Sequence, residues 1–278
     1  MADADKRYIH GHSRAEQDRL VAQAEYWRDT LILPDLAYRS GQRLLDIGCG
    51  VGAVLGVIGQ AFPGLALAGI DIAREQIAAA GEHLERLGLA ADLRAGDARA
   101  LPWPDDSFDH VYMMWFLEHV ADARPFLAEA RRVLAPGGTL TINETDYSMF
   151  HVWPPDADLD YLGAAQRALF AGNGNPVIGR SLGALLVEAG FRDVRARPIG
   201  FHHFSGEGDA LARFADYLLG FLEPMVPRMV EAGFDEARLR AAVAAGRALA
   251  SKPAASLTQI VFRAQGTRAG DTHRGPSN

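Results

Sequence analysis

Short apolar runs alternate along this chain with longer stretches in which apolar positions recur every three or four residues, the pattern of a sheet whose strands are joined by helices. Strands are predicted at 43–47, 67–72, 92–96, 108–114, 139–144, 191–204 and 257–264. A helix over 74–88 carries Ile77, Leu84 and Leu87 on one face and stops at Gly88. Another, capped by Asp122, carries Phe126, Leu127, Ala130 and Val133. Ser13 and Glu16 form a capping box ahead of Leu20, Val21, Ala24, Trp27 and Leu31, which recur at helical spacing. Residues 158–170, 180–190 and 206–251 are also helical, the last broken at Pro224, Pro227 and Gly233. The expected layout is an α/β core at 41–204 and 252–266, an N-terminal helical lid at 1–40, helical cap insertions at 148–180 and 205–251, and a disordered polar tail at 267–278.

The first strand breaks into Asp46-Ile47-Gly48-Cys49-Gly50-Val51-Gly52. Glycines there let the backbone turn sharply and approach a ligand closely. The second strand ends in Asp71, about 20 residues past the loop, a separation at which a carboxylate reaches ribose hydroxyls across the switch point of an open sheet. The D-x-G-x-G-x-G spacing resembles the first motif of the class I S-adenosylmethionine-dependent methyltransferases with a type 11-like domain, more than it resembles G-x-G-x-x-G. Further phrases resemble the same family in the same order. They are Gly96-Asp97-Ala98, F-D-x-V from Phe108 followed by Leu117-Glu118-His119-Val120, R-R-V-L-A-P-G-G-T-L from Arg131, and A-G-F-R-D-V from Ala189.

The resemblance implies a Rossmann-like methyltransferase sheet of seven strands, the last antiparallel between the fifth and sixth, with S-adenosylmethionine as cofactor. It implies that Asp97 accepts a hydrogen bond from the adenine amino group while Ala98 donates through its backbone. Carbonyls at Met113 or Met114 are expected to meet the amino group of the methionine moiety. Asp46, Gly48, Cys49, Gly50, Gly52, Asp71, Ile72, Gln76 and Gly96 complete the core of the expected cofactor set. Tyr8 joins it from a segment similar to Y-x-H-G-Y-S-x-x-E-x-x-R-L, in which His12 stands where a second Tyr is usual.

Such an enzyme transfers a methyl group to an O, N or C atom of a small organic metabolite in a biosynthetic pathway. The transfer is an in-line displacement, so the protein's main task is positioning, and a base is needed only where the acceptor arrives protonated. Candidate catalytic residues are His12, His119, Glu144 and Tyr147, with His10, His202 and His203 as further candidate bases. Asn143 to Tyr147 crowd a strand end and are expected to face the acceptor, whereas Glu118 reads as structural. Two other activities stay open: an enzyme using the cofactor differently, such as by cyclising its aminobutyryl chain, and a non-catalytic regulator that binds it.

Composition narrows the partners. With 278 residues, 49% of them hydrophobic and 23% charged, the chain suits one large domain or a domain with a cap. A formal net charge of −7 with scattered arginines argues against a nucleic-acid partner. The sequence has no run of about 18 apolar residues and a polar start, so no membrane span or secretion is expected and a cytoplasmic location is the default. The single cysteine, Cys49, excludes an internal disulfide and a cysteine-built metal site, and no metal is expected. Phe170, Phe214, Tyr217 and Phe221 make the cap aromatic, which points to a small-molecule acceptor. A homodimer stays open, with the first helix crossing to a neighbouring subunit.

Overall fold

Residues 13–172 and 174–270 are described by the structure, a computed structural model. Tyr8, His10 and His12 lie outside these described residues. Strands β1 (Arg43–Ile47), β2 (Ala66–Asp71), β3 (Ala91–Ala95), β4 (Phe108–Met114) and β5 (Leu134–Thr145) form a parallel sheet in the order β3-β2-β1-β4-β5. Strands β1 and β4 are buried along almost their whole length, which is why they read as continuous apolar runs. The chain leaves β1 toward β3 and returns to the other side at β4, so a crevice opens between β1 and β4 at their carboxyl ends.

Strand β8 (Ser256–Arg268) runs antiparallel between β5 and β7 (Phe191–Phe204), the placement that the family resemblance implied. An eighth strand, β6 (His151–Trp153), adds to the seven predicted and pairs with Ser256 to Thr258, continuing the edge of β8 that β5 occupies further on. Three residues are too few for a period of two to register in sequence. Strand β8 also runs past the expected end of the core. Thr267 and Arg268, assigned to the tail on polarity, pair with Thr139 and Phe191, and the Arg268 guanidinium donates to Asp106 and to the Leu134 carbonyl.

Helices α2 (Ala53–Ala61), α3 (Arg74–Arg86), α4 (Arg124–Val133) and α6 (Leu182–Glu188) link these strands. In α4 the buried positions are Phe126, Leu127, Ala130 and Val133, the predicted apolar face. Helix α1 (Arg14–Trp27) starts where Ser13 Oγ accepts from Glu16 N–H at 3.2 Å. It drives Trp27 edge-on into Phe201 and Tyr217, with ring centroids 4.4 and 5.7 Å away.

The two insertions meet. Helix α5 (Ala157–Ala171) from the first packs along α9 (Glu236–Ala248) from the second, joined by α7 (Ala210–Leu222) and α8 (Val226–Glu231). Leu162, Ala165 and Phe170 share one apolar core with Leu219, Met225, Met229 and Leu239. This cap stands over the carboxyl ends of the parallel strands. No helix among the described residues is long and apolar enough to cross a membrane.

Candidate active site

Between the strand tips and the cap lies a cavity of about 1320 Å³. Pockets for one drug-sized ligand run to about 300–1,000 Å³, so this one has room for two molecules side by side. Its sheet-side wall contains Gly48, Cys49, Gly50, Asp71, Ile72, Gln76, Gly96, Asp97, Ala98 and Met114 from the expected cofactor set. Asp46, Gly52 and Met113 do not line it.

The glycine loop is held from below. Gly48 and Cys49 N–H both donate to the Ile70 carbonyl, at 2.9 and 3.0 Å, and Gly52 N–H donates to Cys49 at 2.8 Å. All three glycines have positive φ, at 76°, 50° and 70°. A Cβ on Gly50 would meet only Leu20 at 3.9 Å and would project into open space, whereas on Gly48 it would strike Phe116 at 2.4 Å. Asp71 ties the loop to the start of α3, its carboxylate accepting from Gly50 N–H and from Ala73 N–H, both at 3.0 Å. Asp46 sits behind the loop at 2% exposure, where burial and the Asp71 charge raise its carboxyl well above the ordinary range. Gly52 opens α2 and packs toward Ala80, so its part is to shape the turn. Met113 is fully buried in the sheet. Burial and the two neighbouring carboxylates push the Cys49 thiol up, away from thiolate chemistry. Asp97 faces the cavity while bonded to the Arg99 guanidinium at 2.5 Å, which holds its carboxyl low.

Where the sheet meets the cap, a polar cluster replaces the expected row of acceptor contacts. Glu144 is completely buried and does not line the cavity. Its carboxylate accepts from the backbone N–H groups of Phe116 at 2.9 Å, Leu117 at 2.6 Å and Glu118 at 3.3 Å, so it braces the turn after β4 and is not placed to act as a base. Asn143 donates to Tyr112 Oη at 2.6 Å, and Asp146 is taken by Arg180 and Ser148. From that row only Thr145 and Tyr147 reach the cavity.

Glu118, which reads as structural in sequence, lines the cavity instead. It accepts from Tyr147 Oη–H at 3.0 Å and lies against Glu144. Burial and the Glu144 charge raise the Glu118 carboxyl well above its usual range, and burial lifts Glu144 to about 8 against its three amide donors. Two buried carboxyls in contact keep a proton between them at neutral pH. His119 also lines the cavity, neutral because burial lowers it to about 4, and stacks on Phe170 at 5.3 Å. Trp115, held at φ 50° at the tip of β4, donates its indole N–H to Thr145 at 2.9 Å and forms part of the same wall. His202 bonds Thr258 at 2.8 Å and His203 stacks on Phe214, both away from the cavity and on opposite faces of β7. Among the described residues no group of three or more His, Cys, Asp or Glu is arranged to hold a metal ion.

Residues 45–142, from the first strand to the fifth, match the methyltransferase domain family. Those residues carry a methyltransferase domain of the class I S-adenosylmethionine-dependent type. Across 208 residues it is 36% identical to an uncharacterized 37.1 kDa transposon protein of Streptomyces fradiae, covering 74% of this chain and 57% of that protein. It is 35% identical over 163 residues to the demethylmenaquinone methyltransferase of Tropheryma whipplei, covering 52% of this chain and 66% of the relative. The chain thus spans under two thirds of the length of both relatives. A phosphoethanolamine N-methyltransferase of Haemonchus contortus, solved with phosphomonomethylethanolamine and S-adenosylhomocysteine, shares the fold with a TM-score of 0.56 and 17% identity, over 92% of this chain and 57% of that one.

The family match ends at residue 142, short of every cap residue that lines the cavity. Gln166 on α5 and Gln259 on β8 are among the lining residues that sequence reasoning missed. A signal existed. Gln259 alternates with Leu257 and Val261 on the buried face of β8, and Gln166 falls one turn from Leu162 and from Phe170, a polar residue in an apolar stripe each time.

Proposed function

We propose that this protein transfers the methyl group of S-adenosylmethionine to an O, N or C atom of a small organic molecule. The single observation that carries this is the continuity of one cavity from the glycine loop to the cap, which sets a cofactor place and an acceptor place side by side. The residues fit that cofactor. The open face of Gly50 is a cradle that any Cβ would fill, and Asp71 lines the cavity beside it at the end of β2, where a carboxylate would meet ribose hydroxyls. Asp97 and Ala98 would take the adenine, and Met114 would meet the methionine amino group. When bound, the cofactor supplies an electrophilic methyl on a sulfonium.

The remaining chemistry belongs to the chain. The cap excludes water and orients the acceptor, the larger part of catalysis for an in-line transfer. His119 and Tyr147, the latter fixed by Glu118, stand at the seam, where they would orient the acceptor group.

Titration calorimetry with S-adenosylhomocysteine tests the reading: absence of heat from the wild-type protein defeats it. Mass analysis of S-adenosylmethionine incubated with the protein and no acceptor separates methyl transfer from another use of the cofactor. Recovery of a cyclised or cleaved product would favour the second.

A further inference from the structure

Inside the cap the cavity runs along one face of α5. Leu159, Leu162, Gly163 and Gln166 all line it, and their spacing of i, i+3, i+4 and i+7 places them in a single stripe on that helix. Gly163 stands in the middle of the stripe and in the interior of the helix, where glycine is the least favourable residue after proline. Packing does not require it. Apart from the backbone of its own helix, a Cβ at 163 would meet among the described residues only Arg167 Nη1, at 3.3 Å, the far end of a flexible side chain. The glycine thus leaves its space to the cavity.

The wall changes character along α5. At the start of the helix Leu159 meets Leu219 of α7 and Gly246 of α9, where a Cβ on Gly246 would lie 3.2 Å from Leu219 and 3.5 Å from Leu159. At the end of the helix Phe170 packs on Tyr147 at 4.7 Å, and Tyr147 Oη–H is bonded to Glu118. Gln259 belongs to this polar end. Thr145 pairs with Val261 and Asp146 N–H donates to the Ile260 carbonyl at 3.3 Å, so the same register carries on to set Gln259 across from Tyr147. Gln259 lines the cavity at 7% exposure, and its Oε1 has no hydrogen-bond partner among the described residues, a buried acceptor that calls for a donor from a ligand. Arg19, also in the wall, enters from α1, lies over the Phe221 ring at 5.4 Å and gives its guanidinium to both Glu16 carboxylate oxygens at 2.7 Å, so its charge is matched there.

We infer that the methyl acceptor is an amphiphile, with a hydroxyl or N–H group at a polar end beside Tyr147 and Gln259, and an elongated hydrocarbon body laid along α5 in the space that Gly163 leaves. The inference rests on the methyltransferase function proposed above, and it makes Gly163 the residue that sets how long a body is admitted. A compact acceptor would leave the stripe from Leu159 to Gly163 unfilled, whereas each methylene laid against it leaves water and gains about fourfold in affinity.

The test is calorimetry on the protein saturated with S-adenosylhomocysteine, with 4-methylphenol and 4-pentylphenol as probes. Pentylphenol carries four more methylenes and should bind at least about thirtyfold more tightly. Gly163→Leu should cut that advantage below about threefold, leave the affinities for methylphenol and S-adenosylhomocysteine within about twofold of wild type, and melt at or above the wild-type temperature, because leucine is the better helix former. An advantage below about threefold in the wild type, no binding of either phenol, or an advantage retained in Gly163→Leu overturns the inference. So does a Gly163→Leu protein that melts lower or fails to fold, which would make the glycine a packing residue. Loss of S-adenosylhomocysteine binding by the wild type is a separate result, which overturns the parent proposal.

Discussion

The two ends of the cavity are built by different means. On the sheet side, groups are held by the backbone of consecutive residues, as where Asp71 grips Gly50 and Ala73 and Ile70 grips Gly48 and Cys49. On the cap side, side chains far apart in sequence do the work, as where Phe170 packs on Tyr147 and His119. The first arrangement tolerates little variation, because backbone geometry allows few residue types at each position. The second admits many side-chain combinations.

That contrast is open to attack by mutation. The largest effect is expected at the sheet end: Gly50→Val, forcing a β-branched residue to φ 50° and into the cavity, should abolish S-adenosylhomocysteine binding. Asp71→Ala should weaken it by at least about 100-fold while the fold survives, since the charge-assisted bond to Gly50 in the loop and the one to Ala73 at the start of α3 both go. Unchanged affinity in both would remove the distinction between the two ends.

Next comes the seam. Glu144→Ala leaves three buried amides without an acceptor and should cost ~3 kcal/mol, seen as a melting temperature lower by roughly 8 °C. Glu144→Gln, which keeps an acceptor oxygen, should recover most of it.

The shared proton sets the pH dependence. Glu118 and Glu144 are raised in the folded protein above the value of about 4.3 expected when unfolded, so the folded state binds the extra proton. Stability should therefore be full below about pH 4.3 as far as this pair is concerned and fall as the pH rises from there to about 8, seen as a falling melting temperature. Glu118→Gln, neutral at every pH, should flatten that slope. A slope of the opposite sign would mean that the pair is fully ionised in the fold.

The smallest effect belongs to the cap alone. Tyr161→Phe removes the acceptor of Asp235 N–H, a bond of 2.8 Å at an exposed site. It should cost ~0.5 kcal/mol in chemical denaturation and leave S-adenosylhomocysteine affinity unchanged. A large loss of that affinity would show the two ends to be coupled.

The sequence by itself determined the parallel sheet and the glycine loop, because strand burial, turn glycines and strand-end carboxylates are local patterns with fixed spacing, while the position of β8 came from the family resemblance. The sequence also named His119 and Tyr147, both of which line the cavity. Tertiary structure alone decided that Glu144 spends its carboxylate on backbone amides while Glu118 faces the cavity, although the two carry the same side chain. Tertiary structure alone likewise joined the two cap insertions and brought Gln166 and Gln259 to one chamber. The reason is physical: which polar groups are satisfied inside a fold depends on partners supplied from distant elements, and no period along the chain encodes that pairing.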